Sequence, residues 1–168
     1  MPAMTALGWF HTVMGIIALS SGAYALYQYK EIVPGNRSGL IYLAATLITA
    51  ATALAIYQHG GFGAGHALAV LTLGALAAGT LAGSTGLFGS WGRYLRALSY
   101  TATLLFHSIP AVTDGLLRLP VGNPALTSIE DPVMQTAYLV LLALFVVGAT
   151  LQLRWIHTQR NYPLARVP

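Results

Sequence analysis

The sequence predicts an all-α membrane protein, a polytopic bundle of five transmembrane helices. Of its 168 residues, 56% are hydrophobic and only 7% are charged, which leaves too little polar surface for a soluble domain. The apolar residues fall in runs of about 20, the length that crosses a hydrocarbon core of about 30 Å. The chain length fits one membrane-embedded domain over residues 1–168.

The five predicted helices are separated by polar or glycine-rich links. Their approximate bounds are 7–27, 40–57, 66–84, 97–117 and 133–153. The second and third helices are joined by so short a link that they must be antiparallel neighbours. The fourth contains Pro110 and ionisable residues, and the sequence leaves open whether it spans the membrane fully or re-enters on the same side. A basic cytoplasmic tail is predicted over 154–168.

Lysine and arginine are distributed unequally between the two sides of this five-helix arrangement. Of the eight, only Arg118 lies on one side. The other seven lie on the opposite side: Lys30, Arg37, Arg93, Arg96, Arg154, Arg160 and Arg166. Because basic loops are retained in the cytoplasm, the sequence predicts an N-terminus outside, a C-terminus inside and residence in a bacterial inner membrane. The formal charge of +4 is thus a topology signal and does not indicate a nucleic-acid partner.

Small residues recur at helical spacing on two of the predicted helices. Gly15, Ala18 and Gly22 lie at three- and four-residue spacing on the first helix, and Gly79 and Gly83 lie four residues apart on the third. In lipid, such residues allow helix backbones to approach closely. We therefore predict that these glycines mark packing surfaces and carry no chemistry.

Ionisable residues concentrate at the outer end of the predicted bundle. His11, His66 and Asp114 fall within about one helical turn of this rim, and His59 lies in the adjoining link. His107 shares a helix face with Asp114, seven residues away, but lies roughly 10 Å deeper. Such groups are costly to bury in a membrane and usually mark a functional site.

This pattern supports a leading hypothesis and two alternatives. Imidazoles ligate zinc, non-haem iron and haem, so His11 and His66 could hold haem b, or bind a metal ion together with Asp114, for electron transfer or metal handling. In the second hypothesis, His107 and Asp114 serve a proton-coupled carrier, with hydroxyls from Ser20, Ser21, Thr49 and Thr72. A third possibility is an accessory subunit of a membrane complex, or a homo-oligomer. The reaction, and whether the protein is an enzyme at all, stay open.

The position of Asp114 makes a separate prediction about pairing inside the bundle. A buried carboxylate needs a partner, and His11 and His66 lie at its depth, so the first, third and fourth helices are expected to converge there. The alternative is an ion pair with Arg118, four residues along the same helix.

Two stretches resemble a family of bacterial integral membrane proteins, domain-of-unknown-function family 2306. They are FHTVMGIIALSSG in the first helix and HGGFGAGHALAVLTL after the second. The matching positions are His11, Gly15, Gly22, Gly60, Gly61, Phe62 and His66. The loop GNRSG lacks the histidine expected before the second helix of that family. The resemblance implies a multi-pass membrane protein and no particular reaction.

Several common sites are excluded by the residues themselves. The chain contains no cysteine, so neither disulfides nor thiolate metal ligands are available. The phosphate-binding pattern G-x-x-x-x-G-K-[ST], the zinc pattern H-E-x-x-H and the nucleophile pattern G-x-S-x-G do not occur.

Overall fold

The computed structural model describes residues 5–57 and 61–161, and in this part of the chain the backbone forms five α-helices. They are α1 (Ala6–Tyr29), α2 (Arg37–Ala53), α3 (Ala64–Ser84), α4 (Gly92–Arg118) and α5 (Pro132–Asn161). A single 3₁₀ turn, Gly89–Trp91, precedes α4. His59 and the end of the predicted tail, residues 162–168, lie outside the described residues.

Three helices, α1, α3 and α5, are long and apolar enough to cross a membrane. α2 has 17 residues, slightly fewer than the usual span of about 20. α4 has 27 residues, about 40 Å of helix, but mixes polar with apolar side chains along its length. The all-helical class and the membrane character are therefore confirmed.

The helix bounds differ most from the predicted ones at three places, one of which is the start of α4 at Gly92, five residues early. α2 ends at Ala53, four residues early, because its last turn tightens into bonds that span three residues, such as Ala55 N to the Thr52 carbonyl. α5 continues through the first eight residues of the predicted tail. This extension is helical because Ile156 is buried and the Trp155 ring packs against Arg93 of α4.

Polar side chains fix several helix starts. The Thr5 hydroxyl accepts a hydrogen bond from Gly8 N at 3.1 Å, and the Asn36 side chain accepts one from Gly39 N at 2.7 Å. At the start of α5, Asp131 Oδ1 accepts from Val133 N at 2.8 Å. Each bond satisfies an amide that has no partner within its own helix, which matters most where water is scarce.

The first four helices form a closed ring, and α5 packs on the outside of α4. Within the ring α1 packs on α2, α2 on α3, α3 on α4, and α4 on α1. α4 is therefore the central helix, and it continues unbroken through Pro110. Its hydrogen bonds to α5 run from end to end: Tyr94 to His157, Thr101 to Gln152, and Thr113 to Tyr138. These pairs make α4 and α5 antiparallel neighbours over their whole shared length.

Two of the predicted packing glycines, Gly22 and Gly79, lie where helices approach closely, whereas Gly15 has only an ordinary contact at 3.8 Å. A Cβ atom added at Gly22 would come within 2.6 Å of the Tyr42 ring on α2. One added at Gly79 would come within 2.6 Å of the Tyr100 ring on α4. Because both tyrosines are fully buried, neither ring can move aside into open space. The glycines are thus required for the contacts α1–α2 and α3–α4.

Replacing Gly79 with leucine should destabilise the bundle, because the new side chain would overlap the Tyr100 ring. We expect a loss of about 1–3 kcal/mol, the usual range for overpacking a core. Gly74→Leu is the matched control, since it lies on the same helix with no atom near its added Cβ. Thermal unfolding in detergent measures both variants. Equal unfolding temperatures for the two would contradict the packing role of Gly79.

Candidate functional site

His11 is held in one orientation by the end of α2. Its Nδ1 lies 3.1 Å from the Thr49 carbonyl oxygen and 3.1 Å from the Thr52 hydroxyl. A carbonyl oxygen can only accept, so Nδ1 must carry the proton. The Nε2 atom of His11 therefore keeps its lone pair. A histidine fixed in this way can act as a proton acceptor or as a metal ligand.

His66 carries its proton on the opposite nitrogen. Its Nδ1 accepts a hydrogen bond from Gly63 N at 3.2 Å, in the first turn of α3. The ring contacts two aromatic rings in tilted arrangements, with centroids 4.7 Å from Tyr57 and 5.3 Å from Phe62. The side chain is only 6% exposed, and its Nε2 has no acceptor among the described residues. Because Nε2 bears the proton, this nitrogen has no lone pair to offer a metal.

His107 lies inside the ring of helices, on α4. It is 7% exposed, and its Nε2 is buried without a hydrogen-bond partner in the described part of the chain. Leaving a buried polar atom unpaired costs free energy, so the surroundings of this nitrogen are unusual for a helix interior. His11 lies within electrostatic range of His107. The two histidines thus lie on neighbouring helices, since α1 packs against α4.

Asp114 lies further along α4 and forms an ion pair with Arg118. Its Oδ1 accepts from Arg118 Nε at 3.2 Å, and the carboxylate side chain is 62% exposed. This is the alternative that the sequence offered, and none of the hydrogen bonds among the described residues joins Asp114 to His11 or His66. The predicted direct pairing of Asp114 with an imidazole is therefore absent from this part of the chain. Asp114 is nevertheless close enough to His11 to interact electrostatically.

The predicted metal or haem site gains no support from this arrangement. Residues 5–57 and 61–161 contain no group of three or more histidine, cysteine, aspartate or glutamate side chains able to share a metal ion. The orientation of His11 suits a ligand, but the protonated Nε2 of His66 does not. The cofactor hypothesis for His11, His66 and Asp114 stays a prediction.

Two pairs of hydrogen-bonded hydroxyl groups lie in the bundle on the N-terminal side of His107 along α4. Thr103 lies four residues before His107 and Tyr100 seven residues before it, so all three share one face of α4. The Thr103 hydroxyl lies 2.6 Å from the Tyr42 hydroxyl, and the Tyr100 hydroxyl lies 3.0 Å from that of Thr80. We call His11, His107, Thr103, Tyr42, Tyr100 and Thr80 the polar column.

Sequence reasoning chose other hydroxyls. The hydroxyls of Ser21, Thr49 and Thr72 each donate a hydrogen bond to a backbone carbonyl of their own helix. Their hydrogen-bonding capacity as donors is therefore used within that helix. Tyr42 and Thr103 were missed because their pairing joins residues 61 positions apart. The sequence did contain one indication of these contacts. Tyr100, Thr103 and His107 follow one another at intervals of three and four residues, which places them on one face of α4.

Glu31 was also missed, and it organises the opposite end of the bundle. Its side chain is 7% exposed and accepts from Arg93 Nε at 3.0 Å and from Arg96 at 3.4 Å. Glu31 is the sole acid among the seven basic residues assigned to that side, which was a readable signal in the sequence. We call Lys30, Glu31, Arg93, Arg96 and Arg154 the basic end, and the end with His11 and His66 the histidine end.

Comparison with known proteins gives no relative of this chain. The chain matches no family model, no curated protein and no solved structure. The resemblance to domain-of-unknown-function family 2306 therefore stays an expectation from the two stretches that carry it.

The hydrogen bonds predict opposite neutral tautomers for two histidines. His11 should carry its proton on Nδ1, because this atom faces the Thr49 carbonyl, and His66 should carry it on Nε2. Nitrogen-15 NMR of histidine-labelled protein at alkaline pH distinguishes the two forms, and His11→Gln and His66→Gln variants assign the signals. Finding the Nδ1–H form at His66 would remove the objection to metal binding there.

Proposed function

We propose that this protein crosses a bacterial inner membrane five times and carries protons through the polar column, as the proton-translocating core of a proton-coupled carrier. The observation that supports it best is His107, whose buried Nε2 has no partner among the described residues, on a helix that packs against α1, where His11 Nε2 keeps a lone pair. The topology and the chemistry are supported by different features and are tested separately.

The five-span topology is supported by the position of α4. Contacts of α4 with α1, α3 and α5 favour a spanning position for α4, because those three helices are the ones apolar enough to cross. Its bonds to α5 at both ends and in the middle support a position for α4 as deep in the bilayer as that of α5. Its lower hydropathy fits this central place, because neighbouring helices shield its polar side chains from lipid. The orientation rests on the seven-to-one distribution of basic residues.

Proton transfer is supported by the order of groups along the bundle. Asp114 is exposed at the histidine end, where its carboxylate forms an ion pair with Arg118. His11 Nε2 can accept a proton while Nδ1 keeps its bond to the Thr49 carbonyl. The proton can then pass to His107, directly or through a water molecule, and restore neutral His11. The Thr103–Tyr42 and Tyr100–Thr80 pairs extend the route towards the basic end.

Haem or metal binding is the second candidate, and one observation favours it. The bond from His11 Nδ1 to a backbone carbonyl is the arrangement that commonly orients a ligating imidazole. A cofactor held by His11 and His66 would require the His66 ring to give up its bond to Gly63 N. For this reason we rank it below proton transfer.

Reporter fusions test the topology. A fusion after Gly86, between α3 and α4, should be cytoplasmic if all five helices span. It should be extracytoplasmic if only α1, α3 and α5 span, because α3 would then cross in the opposite direction. Fusions after Pro34 and within the C-terminal residues should be cytoplasmic in both cases and serve as controls. An extracytoplasmic signal after Gly86 would refute five spans.

A proton-flux assay tests the function. Purified protein in liposomes should dissipate an imposed pH gradient, followed with an internal pH-sensitive dye, when a potassium ionophore balances the charge. His107→Gln should slow this by roughly a hundredfold, the lower range for loss of a positioned proton-transfer group. His11→Gln should act similarly.

His66→Gln is the matched control, because it removes an equally buried histidine at the same end that the proton route does not use. Unchanged flux in His107→Gln would contradict the proposal. A Soret band or stoichiometric metal in the same preparations, lost in His66→Ala, would replace proton transfer with the cofactor function.

A further inference from the structure

An apolar groove opens on the outside of the bundle between α1, α4 and α5. Its volume is about 670 Å³, within the range of roughly 300–1,000 Å³ typical of ligand sites. It exists because α1 and α5 do not pack along their lengths and are joined at one level, where Gln152 Nε2 donates to the Lys30 carbonyl at 2.8 Å. Leu104, Leu105, Leu144 and Phe145 supply most of its apolar wall.

The groove is apolar along most of its length and cationic at one end. Lys30 and Trp155 line that end, which belongs to the basic end of the bundle. The Lys30 ammonium donates to the Tyr27 carbonyl and lies 5.5 Å from the centre of the Tyr27 ring. It forms no ion pair in the described part of the chain, where the one acid nearby, Glu31, is held by Arg93 and Arg96. A positive charge without a counter-ion thus borders the groove.

We propose that this groove binds one anionic phospholipid. Its phosphate lies beside Lys30 and Trp155, and one acyl chain lies along α4 and α5 past Gly148 towards Ser108. A phosphate would serve as the counter-ion for the Lys30 ammonium. A tryptophan beside a lysine is typical of the level of lipid headgroups. The site uses none of the polar column, so it is independent of the proton-transfer proposal.

Charge complementarity favours a lipid over a second copy of this chain. A partner helix in the groove would have to present an acid at the level of Lys30. The acids of this chain other than Glu31 are Asp114, Glu130 and Asp131, and all three lie at the histidine end. A second copy placed with the same orientation in the membrane therefore has no acid to offer.

Native mass spectrometry of the full chain in mild detergent tests the site with two lipids of identical acyl chains. Palmitoyl-oleoyl phosphatidylglycerol should be retained in preference to the phosphatidylcholine. Lys30→Gln should reduce this preference about fivefold, the effect expected for one lysine near an anionic headgroup. Gly148→Phe should reduce retention of both lipids, because the new ring would fill the groove that Gly148 lines. The substitution should not disturb the fold, because a Cβ added at Gly148 meets no protein atom within 4 Å.

Gly74→Phe is the matched control, because it is an exposed helical glycine on α3 with equal space around it and lies away from the groove. It should bind lipid as the unaltered protein does. Equal retention of the two lipids by the unaltered protein, or an unchanged preference in Lys30→Gln, would overturn the proposal. So would a lipid-free dimer that Gly148→Phe converts to a monomer, because a second copy would then occupy the groove. Lys30 is exposed, so its variant decides the headgroup question even if Gly148→Phe unfolds.

Discussion

The buried carboxylate of Glu31 is the contact on which the arrangement of the helices depends. It follows α1 directly and binds two arginines from the first turns of α4, so it fixes where the central helix begins relative to the first. Removing one partner of a buried ion pair typically costs about 3–5 kcal/mol, because the remaining charge is left uncompensated. One residue earlier, the Lys30 carbonyl accepts from Gln152, which also accepts from Thr101 of α4. Two neighbouring residues thus tie α1, α4 and α5 together at one level.

The central place of α4 explains why its composition differs from that of α1 and α5. Helices at the outside of the bundle expose large apolar side chains, such as Ile16 on α1 and Leu144 on α5, to lipid. α4 is enclosed by neighbours and can carry Thr103 and His107 in its interior. Hydroxyls on such a helix can bond backbone carbonyls of their own helix or side chains across the contact. Thr103 does both, since its hydroxyl donates to the Tyr100 carbonyl and also meets Tyr42.

Sequence patterns predicted the features that arise from local composition. The helical class, the existence of five helices and the packing role of Gly22 and Gly79 follow from apolar runs and small-residue spacing, which need no knowledge of partners. The site was harder to predict, because it depends on which side chains meet across helices. Thr49 was singled out only for its hydroxyl, whereas its backbone carbonyl is the group that meets His11, and the contact of His11 with Thr52 was not predicted. Gln152 is likewise a single polar residue in an apolar run whose two bonds reach other helices.

The two ends of the bundle solve the problem of buried polar groups by different means. At the basic end a full negative charge is enclosed, and two guanidinium groups are needed to balance it. At the histidine end the buried groups are imidazoles, which can stay neutral and need only one hydrogen bond to fix their tautomer. The backbone supplies this bond in both cases, through the Thr49 carbonyl for His11 and the Gly63 amide for His66.

A neutral ring held by one nitrogen leaves the other nitrogen available without a counter-ion. For His11 that nitrogen is an acceptor near His107, whereas for His66 it is a donor on a ring that contacts two aromatic rings. The backbone group that each ring meets therefore decides which nitrogen of that ring keeps a free lone pair.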